Sequence, residues 1–430
     1  MYKDFFNLFA RLWQFLLPDK HGKTIKNFDE TNAHLYHKTT EKANADDDGR
    51  HLIKDVHDEL KNLLFANFDF RFNVLTEQVE CRKKEEKEFR MMDRRMLNTM
   101  VIDVRQKGVN CWDKDAERLL KSNYVENFHP FYSYMKGLPK WDGKDRINPL
   151  ALRVDDNTIW IDGFRRWLLA LTAQWMGING RCANTLTPVL ISAKQGMSKS
   201  TFCRLLMPPE LRAYYLDKFD VTGQANMEMK LAKFGLINLD EFDRYSDKAM
   251  ATLKNLVQLK VMAVKKNYAQ YYQQLGRIAS FIGTSNQMEL LNDPSGSRRF
   301  LCVEVKHPID CSPIEYSQLF AQLKTMVEEG ERVWMNAEEE KALQEHNLYF
   351  KRLRPEEEIF YQLFRLPMEN EEGSLIGAAE IHHRMCKANP SAMRGISVIQ
   401  LGRTLTASGL KRVKTKTGNK YSVMVKEKQG

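Results

Sequence analysis

Several features are missing from this sequence, and each absence narrows the field. The 430 residues hold seven cysteines, Cys81, Cys111, Cys182, Cys203, Cys302, Cys311 and Cys386, and no two stand in CxxC spacing. That scatter argues against a disulfide framework and fits reduced thiols in a cytoplasmic protein. His382 and His383 lie near Cys386 but lack a second cysteine pair, which argues against zinc. Internal repeats and long low-complexity tracts are missing too. The stretch MYKDFFNLFARLWQFLL opens the chain, yet Asp4 and Arg11 interrupt it and no small-residue cleavage site follows, so neither a spanning helix nor a signal peptide is expected. Phe5, Phe6, Phe9, Leu12, Trp13 and Leu16 share one face of a helix, which predicts docking on the core or on another subunit. A helix lying on a membrane surface is the alternative.

Charge of one sign is also in short supply. Lys and Arg number 66 against 56 Asp and Glu, a formal surplus of +10. Such a surplus suits a polyanionic partner, because basic groups release the counterions of a phosphate backbone, and it equally suits a solvated basic surface. Apolar residues make up 43% of the chain, enough for a sizeable core.

The text divides into four parts. Residues 1–50 read as the amphipathic helix followed by a polar linker ending in Ala45-Asp46-Asp47-Asp48-Gly49-Arg50. Residues 51–128 read as mainly helical, with one strand near Phe68 to Leu75 and a solvated helix face over the charge run Arg82 to Arg90. Residues 129–345 carry a helix over Ile161 to Met176, with Phe164, Trp167, Leu168, Leu171 and Trp175 on its apolar stripe. Short apolar strands follow at Pro188 to Ser192, Gly235 to Leu239, Ile278 to Gly283 and Phe300 to Val305. Near-continuous apolar strands separated by helices predict an α/β fold with a parallel sheet covered on both faces. Residues 346–430 predict helices at Glu356 to Leu366, Ala378 to Lys387 and Ile396 to Ser408, then a hairpin turning at Thr417, Gly418 and Asn419.

The chemistry concentrates at the ends of those central strands. Val189-Leu190-Ile191-Ser192 runs into Ala193-Lys194-Gln195-Gly196-Met197-Ser198-Lys199-Ser200-Thr201 and a helix start. A phosphate-binding loop needs such an arrangement: main-chain amides cradle phosphate, the helix dipole favours negative charge, and a lysine reaches the β and γ phosphates. Gln195 to Thr201 are therefore the candidate ATP-binding residues, with Ser200 as a Mg²⁺ ligand. Ala193 and Ser198 stand where glycine is usual, and Ser198 is the sharper departure because glycine tolerates backbone angles that serine resists. The competing reading is a strand-turn-helix that binds nothing.

Further signals follow in order. Gly235-Leu236-Ile237-Asn238-Leu239-Asp240-Glu241 is an apolar strand ending in two carboxylates, Asp240 for the metal and Glu241 for activating water. Ser280 to Ser285 ends in Asn286, placed to orient the lytic water or sense the γ-phosphate. Arg298-Arg299 leads into another strand, and an arginine inserted into a neighbouring subunit's site would stabilise charge on the phosphoryl group. In this order the four elements suggest a ring-forming ATPase.

The ordered set AKQGMSKST, LINLDE, FIGTSN and GSRRF, preceded by HPFYSYMKGLPKWDGKDRI, resembles the virulence-associated protein E family. That family is related to the superfamily 3 helicases and to the primase-helicases of phages and mobile elements. The resemblance covers about residues 125–345. It implies a P-loop NTPase core of the AAA+ kind, a homo-oligomeric ring in the form of a hexamer, ATP and Mg²⁺ as ligands, and action on DNA in the replication of a mobile element. No primase carboxylate set is visible among residues 1–125, where Asp69 is isolated, so priming would come from a separate primase.

Candidate DNA contacts lie elsewhere. Lys265, Lys266, Tyr268 and Tyr271 fall between the carboxylate strand and Asn286, where related helicases carry a hairpin into the ring channel; the lysines would grip phosphates, and Tyr268 or Tyr271 would stack on bases of single-stranded or melted DNA. A packed strand pair with a solvated lysine edge is the other reading. The last part resembles a winged helix, with Arg403 on the recognition helix and Lys411, Arg412, Lys414, Lys416 and Lys420 on the wing, positioned for phosphate rather than base contacts. Protein docking is the alternative use of such a module. For the whole chain, a DNA-dependent ATPase stands beside two other expectations: an initiator or scaffold that binds nucleotide with little turnover, and a phage-defence effector.

Overall fold

The computed structural model describes residues 56–178, 183–221, 224–265, 271–291, 294–367, 371–415 and 418–426. The aromatic helix and linker expected over residues 1–50 lie outside these. Among the described residues no helix is long and apolar enough to cross a membrane.

Residues 56–128 form helices and a sheet together. Helix α1 (Val56–Asn67) buries Leu60 and Leu64, one turn apart. Strands β1 (Phe68–Asn73) and β2 (Gln78–Lys83) pair antiparallel, and β3 (Arg90–Met91) adds to β2. Helices α2 (Arg94–Gln106) and α3 (Asp113–Leu120) precede β4 (Glu126–Phe128), which pairs parallel to β1. The sheet order is β3-β2-β1-β4. Helices make up most of the regular structure here, but four strands stand where one was expected, and the helix face expected over Arg82 to Arg90 is corrected: it is a strand end, a turn and a second strand. The physical reason is cross-strand pairing. Asp69 stands opposite Arg82, the first charge of that run, and Arg71 opposite Glu80, so charges at the start of the run and just before it are neutralised across a ladder. Asp69, isolated in the sequence, also pairs with Lys84.

The central part begins with α4 (Pro130–Lys136), α5 (Ile147–Leu152) and α6 (Thr158–Trp175). Helix α6 buries the whole predicted stripe and Trp160 besides. A buried indole needs a partner for its N–H, and each finds a carbonyl: Trp160 donates to Ala151 at 2.9 Å and Trp167 to Phe281 at 3.0 Å. Then come β5 (Thr187–Ile191), α7 (Lys199–Leu205), β6 (Tyr215–Leu216), α8 (Gln224–Lys233), β7 (Leu236–Leu239), α9 (Asp247–Leu256), β8 (Val261–Val264), β9 (Gln273–Gly276), β10 (Ser280–Ser285), β11 (Phe300–Glu304), α10 (Tyr316–Glu328) and α11 (Ala337–His346).

Five of these strands form one sheet in the order β11-β5-β10-β7-β6, with every neighbouring pair parallel. Successive side chains point to opposite faces, so the apolar runs fill two clusters. Leu190, Leu236, Ile282, Leu301 and Val303 face α6 and α10, whereas Val189, Ile191, Ile237, Leu239, Phe281 and Phe300 face the side of α8 and α9. This is the expected mixed α/β architecture with a parallel sheet buried on both sides. Strands β8 and β9 stand apart as an antiparallel hairpin inserted before β10.

The last part contains α12 (Pro355–Leu363), β12 (Phe364–Arg365), β13 (Ser374–Gly377), α13 (Ala378–Ala388), α14 (Val398–Ala407), β14 (Arg412–Thr415) and β15 (Gly418–Val425). The first helix ends earlier than expected because Phe364 and Arg365 leave it to pair with Val425 and Met424. Strand β15 also pairs with β13 and with β14, the latter being the expected hairpin. Phe360, Phe364, Ile381, Met385, Leu401, Leu405, Tyr421 and Val423 make its core.

Candidate functional site

In an open parallel sheet the crevice for ligands lies beyond the carboxyl ends of strands whose connections leave in opposite directions. Here β5 connects toward β6 on one side, and β10 connects toward β11 on the other. The residues singled out by sequence sit at the carboxyl ends of β5, β7 and β10.

Ser192 continues β5 and donates its amide to the Ser285 carbonyl at 3.1 Å. Ala193 to Gly196 are exposed, while Met197 is buried and its carbonyl accepts from the Ile309 amide at 3.2 Å. The loop is therefore pinned from below and open above. Gly196 takes φ 75°. Ser198 takes φ 59° and ψ 19°, the left-handed region, immediately before α7 begins at Lys199. The glycine-like bend that the sequence put in question is present, with serine in it. Ser200 and Thr201 are exposed on the first turn of α7.

The Lys199 ammonium donates to the Ser192 carbonyl at 2.9 Å and to Asn286 Oδ1 at 3.0 Å. One side chain thus ties the end of β5 to the end of β10. Burial pulls its pKa below the ordinary lysine value, and the charges of Asp243 and Asp240 partly offset that. Asp240 accepts a hydrogen bond from Thr284 Oγ1 at 2.6 Å. The chain next makes a sharp bend, with Glu241 at φ 52° and ψ 48°. Glu241 pairs with Arg244 at 2.8 Å. Asp243 turns back inward and accepts from Ser285 Oγ at 2.8 Å and from the Asn286 amide at 3.3 Å.

Lys199, Asp240 and Asn286 therefore share one polar cluster. Thr284, Ser285 and Asp243 belong to it and went unremarked in the sequence. Their signal was a polar run: a buried strand ending in three polar residues in succession, and a second buried strand followed by three carboxylates within four positions. Glu241 lies at the rim of the cluster, paired with Arg244. Arg298 is outside it, paired with Glu340 on α11 at 3.0 Å. Arg299 is half-buried, and its Nε faces the Gln258 side-chain amide.

The β8–β9 hairpin brings Lys265, Tyr271 and Tyr272 to the surface; the two tyrosines are 78% and 69% exposed. Lys266 and Tyr268 lie outside the described residues. At the foot of this hairpin Arg277 is fully buried, and its guanidinium donates to the carbonyls of Ala279, Val257 and Asn184 at 2.7, 2.6 and 3.1 Å. The C-terminal end of α9 supplies the Val257 carbonyl, a favourable place for a cation. In the last part Arg403, Lys411, Arg412 and Lys414 are exposed and Lys420 is half-buried, while Lys416 lies outside the described residues.

With both faces of a parallel sheet covered and polar side chains gathered at the carboxyl ends of its strands, the central part is a mixed α/β protein with a parallel sheet. The chain belongs to the virulence-associated protein E-like family, whose domain model matches residues 135–352. A second model, for a domain of unknown function described from B. theta, matches residues 354–423. No curated protein matches the chain. Similar solved structures include an apo structure of the NrS-1 C-terminal region, at 14% identity and a TM-score of 0.45, covering 87% of this chain and 100% of that one. An A-form apo structure of the same region has 12% identity and a TM-score of 0.42, with the same coverage.

Proposed function

We propose that this protein is an ATP-hydrolysing motor of the P-loop, AAA+ kind that acts on DNA in the replication of a mobile element. The observation that carries the reading is the Lys199 ammonium held between Ser192 at one strand end and Asn286 at the next, with Asp240 and Asp243 close enough to act on its charge. A nucleoside triphosphate with Mg²⁺ fits these residues. The exposed, pinned loop offers main-chain amides to phosphate, and Lys199 supplies a cation already partly withdrawn from water. Ser200 and Asp240 would hold the metal, which would neutralise phosphate charge when bound. Asn286 is within hydrogen-bonding reach of Lys199, which supports a role for its amide in orienting water beside the terminal phosphate.

The remaining assignments extend this reading. Arg298 is exposed on a short helix and would serve a neighbouring subunit of a ring once it parts from Glu340. The β8–β9 hairpin, with Lys265 and its exposed tyrosines, is suited to single-stranded DNA. The winged-helix-like last part, with Arg403, Lys411, Arg412, Lys414 and Lys420, is suited to the phosphate backbone.

One observation favours a second reading, a nucleotide-binding initiator with little turnover. Glu241, the expected base, has a 44% exposed side chain and is engaged by Arg244 at the rim. Steady-state phosphate release with Mg²⁺, with and without single-stranded DNA, on a size-calibrated sample separates the two. Stimulated release that is lost in Lys199→Ala supports the motor. Equal turnover in Lys199→Ala and wild type refutes it, and nucleotide-dependent assembly without release supports the initiator.

A further inference from the structure

Of the three carboxylates that follow β7, Asp243 is the one built most closely into the end of β10. It reaches that strand through two hydrogen bonds to adjacent residues, one from the Ser285 hydroxyl at 2.8 Å and one from the Asn286 main-chain amide at 3.3 Å. Ser285 is itself braced, since its hydroxyl oxygen accepts from the Gln287 amide at 3.0 Å. The side chain of Asn286 leaves this anchored backbone and accepts from Lys199. Asp240 takes a different partner one residue earlier, Thr284. Glu241 points to Arg244. The left-handed bend at Glu241 is what separates the directions of the three: it starts the short helix Phe242–Arg244, which carries Asp243 back over the sheet with Phe242 buried beneath it. Asp243 also heads the charges acting on the Lys199 ammonium, ahead of Asp240.

We infer that Asp243 is a positioning residue that holds the main chain of Asn286, and so keeps the Asn286 amide aimed at the nucleotide after Lys199 has let go of it. This rests on the ATPase reading above and adds the device that makes Asn286 competent. In the structure Lys199 and Asn286 satisfy each other. A phosphate that draws Lys199 away leaves the Asn286 side chain without that partner and free to rotate. Asp243 accepts from the Ser285 hydroxyl and from the Asn286 main-chain amide, and neither bond involves Lys199, so both survive the exchange and fix the backbone from which the Asn286 side chain must reach the nucleotide. A misplacement of about 1 Å in such a group costs on the order of 100-fold in rate, whereas binding of the nucleotide depends chiefly on the loop and Lys199.

The test compares Asp243→Ala, Asp243→Asn, Asn286→Ala and the Asp243→Ala/Asn286→Ala double variant of the full chain. Affinity for a fluorescent ATP analogue with Mg²⁺ is measured beside kcat, KM and thermal unfolding. Asp243→Ala is expected to lower kcat about 10–100-fold while the Kd for the analogue stays within about threefold. Asp243→Asn keeps an acceptor oxygen and is expected to recover most of the rate. In the Asn286→Ala background the second change is expected to add little, because both act through one group. Unchanged kcat in Asp243→Ala, an equal loss in Asp243→Asn, a full additive loss in the double variant, or a Kd raised in step with the fall in kcat would each overturn the inference. Should Asp243→Ala fail to fold, Ser285→Ala removes one of the two bonds to Asp243 and leaves the one from the Asn286 amide; a fall in kcat smaller than that of Asn286→Ala, with an unchanged Kd, is then expected, and an unchanged kcat would overturn the inference. Wild-type protein that neither binds nor hydrolyses ATP removes the functional reading itself; wild-type turnover with an indifferent Asp243 removes the positioning role alone.

Discussion

Replacing Ser198 with glycine probes the backbone of the loop while leaving its charges alone. A residue with a Cβ in the left-handed region costs about 1–2 kcal/mol relative to the right-handed one. Ser198 bears this strain at φ 59° and ψ 19°, and its side chain makes no capping hydrogen bond that would repay it. Glycine removes the strain but gives back about 0.5–1 kcal/mol through the extra freedom of its unfolded chain. The difference predicts a Ser198→Gly protein between unchanged and about 1.5 kcal/mol more stable. Ser198→Ala keeps the Cβ and discards the hydroxyl, so it should stay within about 0.5 kcal/mol of wild type. Trp160, Trp167 and Trp175 lie in the apolar cluster on one face of the central sheet, so tryptophan fluorescence during urea unfolding reports on that body. Nucleotide affinity should hold within about threefold, since the glycine adopts the bend already present. A Ser198→Gly protein destabilised by more than about 1 kcal/mol, or one that loses nucleotide binding that Ser198→Ala retains, would refute the strain argument and with it the reading of the loop as a preformed cradle.

Other outcomes follow from the same kind of reasoning. A Cβ on Gly235 would stand 2.4 Å from ring atoms of Phe131 and 3.1 Å from Trp175 Nε1, so Gly235→Ala should lose about 1–3 kcal/mol; an unchanged melting temperature would show that the ring yields freely. Lys351 and Glu357 form an ion pair at 2.8 Å with side chains 15% and 6% exposed. Lys351→Met alone should cost about 3–5 kcal/mol by stranding the carboxylate, and Lys351→Met/Glu357→Leu should recover most of it; equal losses in the single and double variants would count against that. Burial raises the pKa of Glu357, but Lys351, Ser408 and the Arg354 amide outweigh it and hold the group below the ordinary glutamate value. A depressed carboxylate contributes stability that is fully present above about pH 4.5 and lost as pH falls below it. An acid titration followed by hydrogen exchange over Val398–Ala407 should show this loss in wild type and not in the double variant.

Much of the central sheet was legible because a parallel strand buried on both faces must be apolar at nearly every position. Leu236 to Leu239 and Phe300 to Val303 could hardly be read otherwise, and the polar residues just beyond such strands stood out for the same reason. Residues 68–90 were harder. There the charges of Asp69, Arg71, Glu80 and Arg82 pair across two strands, and a cross-strand partner is invisible to any rule that looks only along the chain. The same limit hid Asp243, whose partners Ser285 and Asn286 are more than forty positions away.

By itself, then, the sequence determined four of the five strands of the central sheet, that this sheet is parallel, and which side chains wait at the ends of those strands. Strand order was decided only in three dimensions, and so was the meeting of Lys199 with Asn286, because each depends on which apolar face packs against which helix. The left-handed turns at Ser198 and Glu241 belong to the same category. Local preference disfavours both residues there, and only the packing of Met197 and Phe242 beside them, each buried against the sheet, holds the backbone in place.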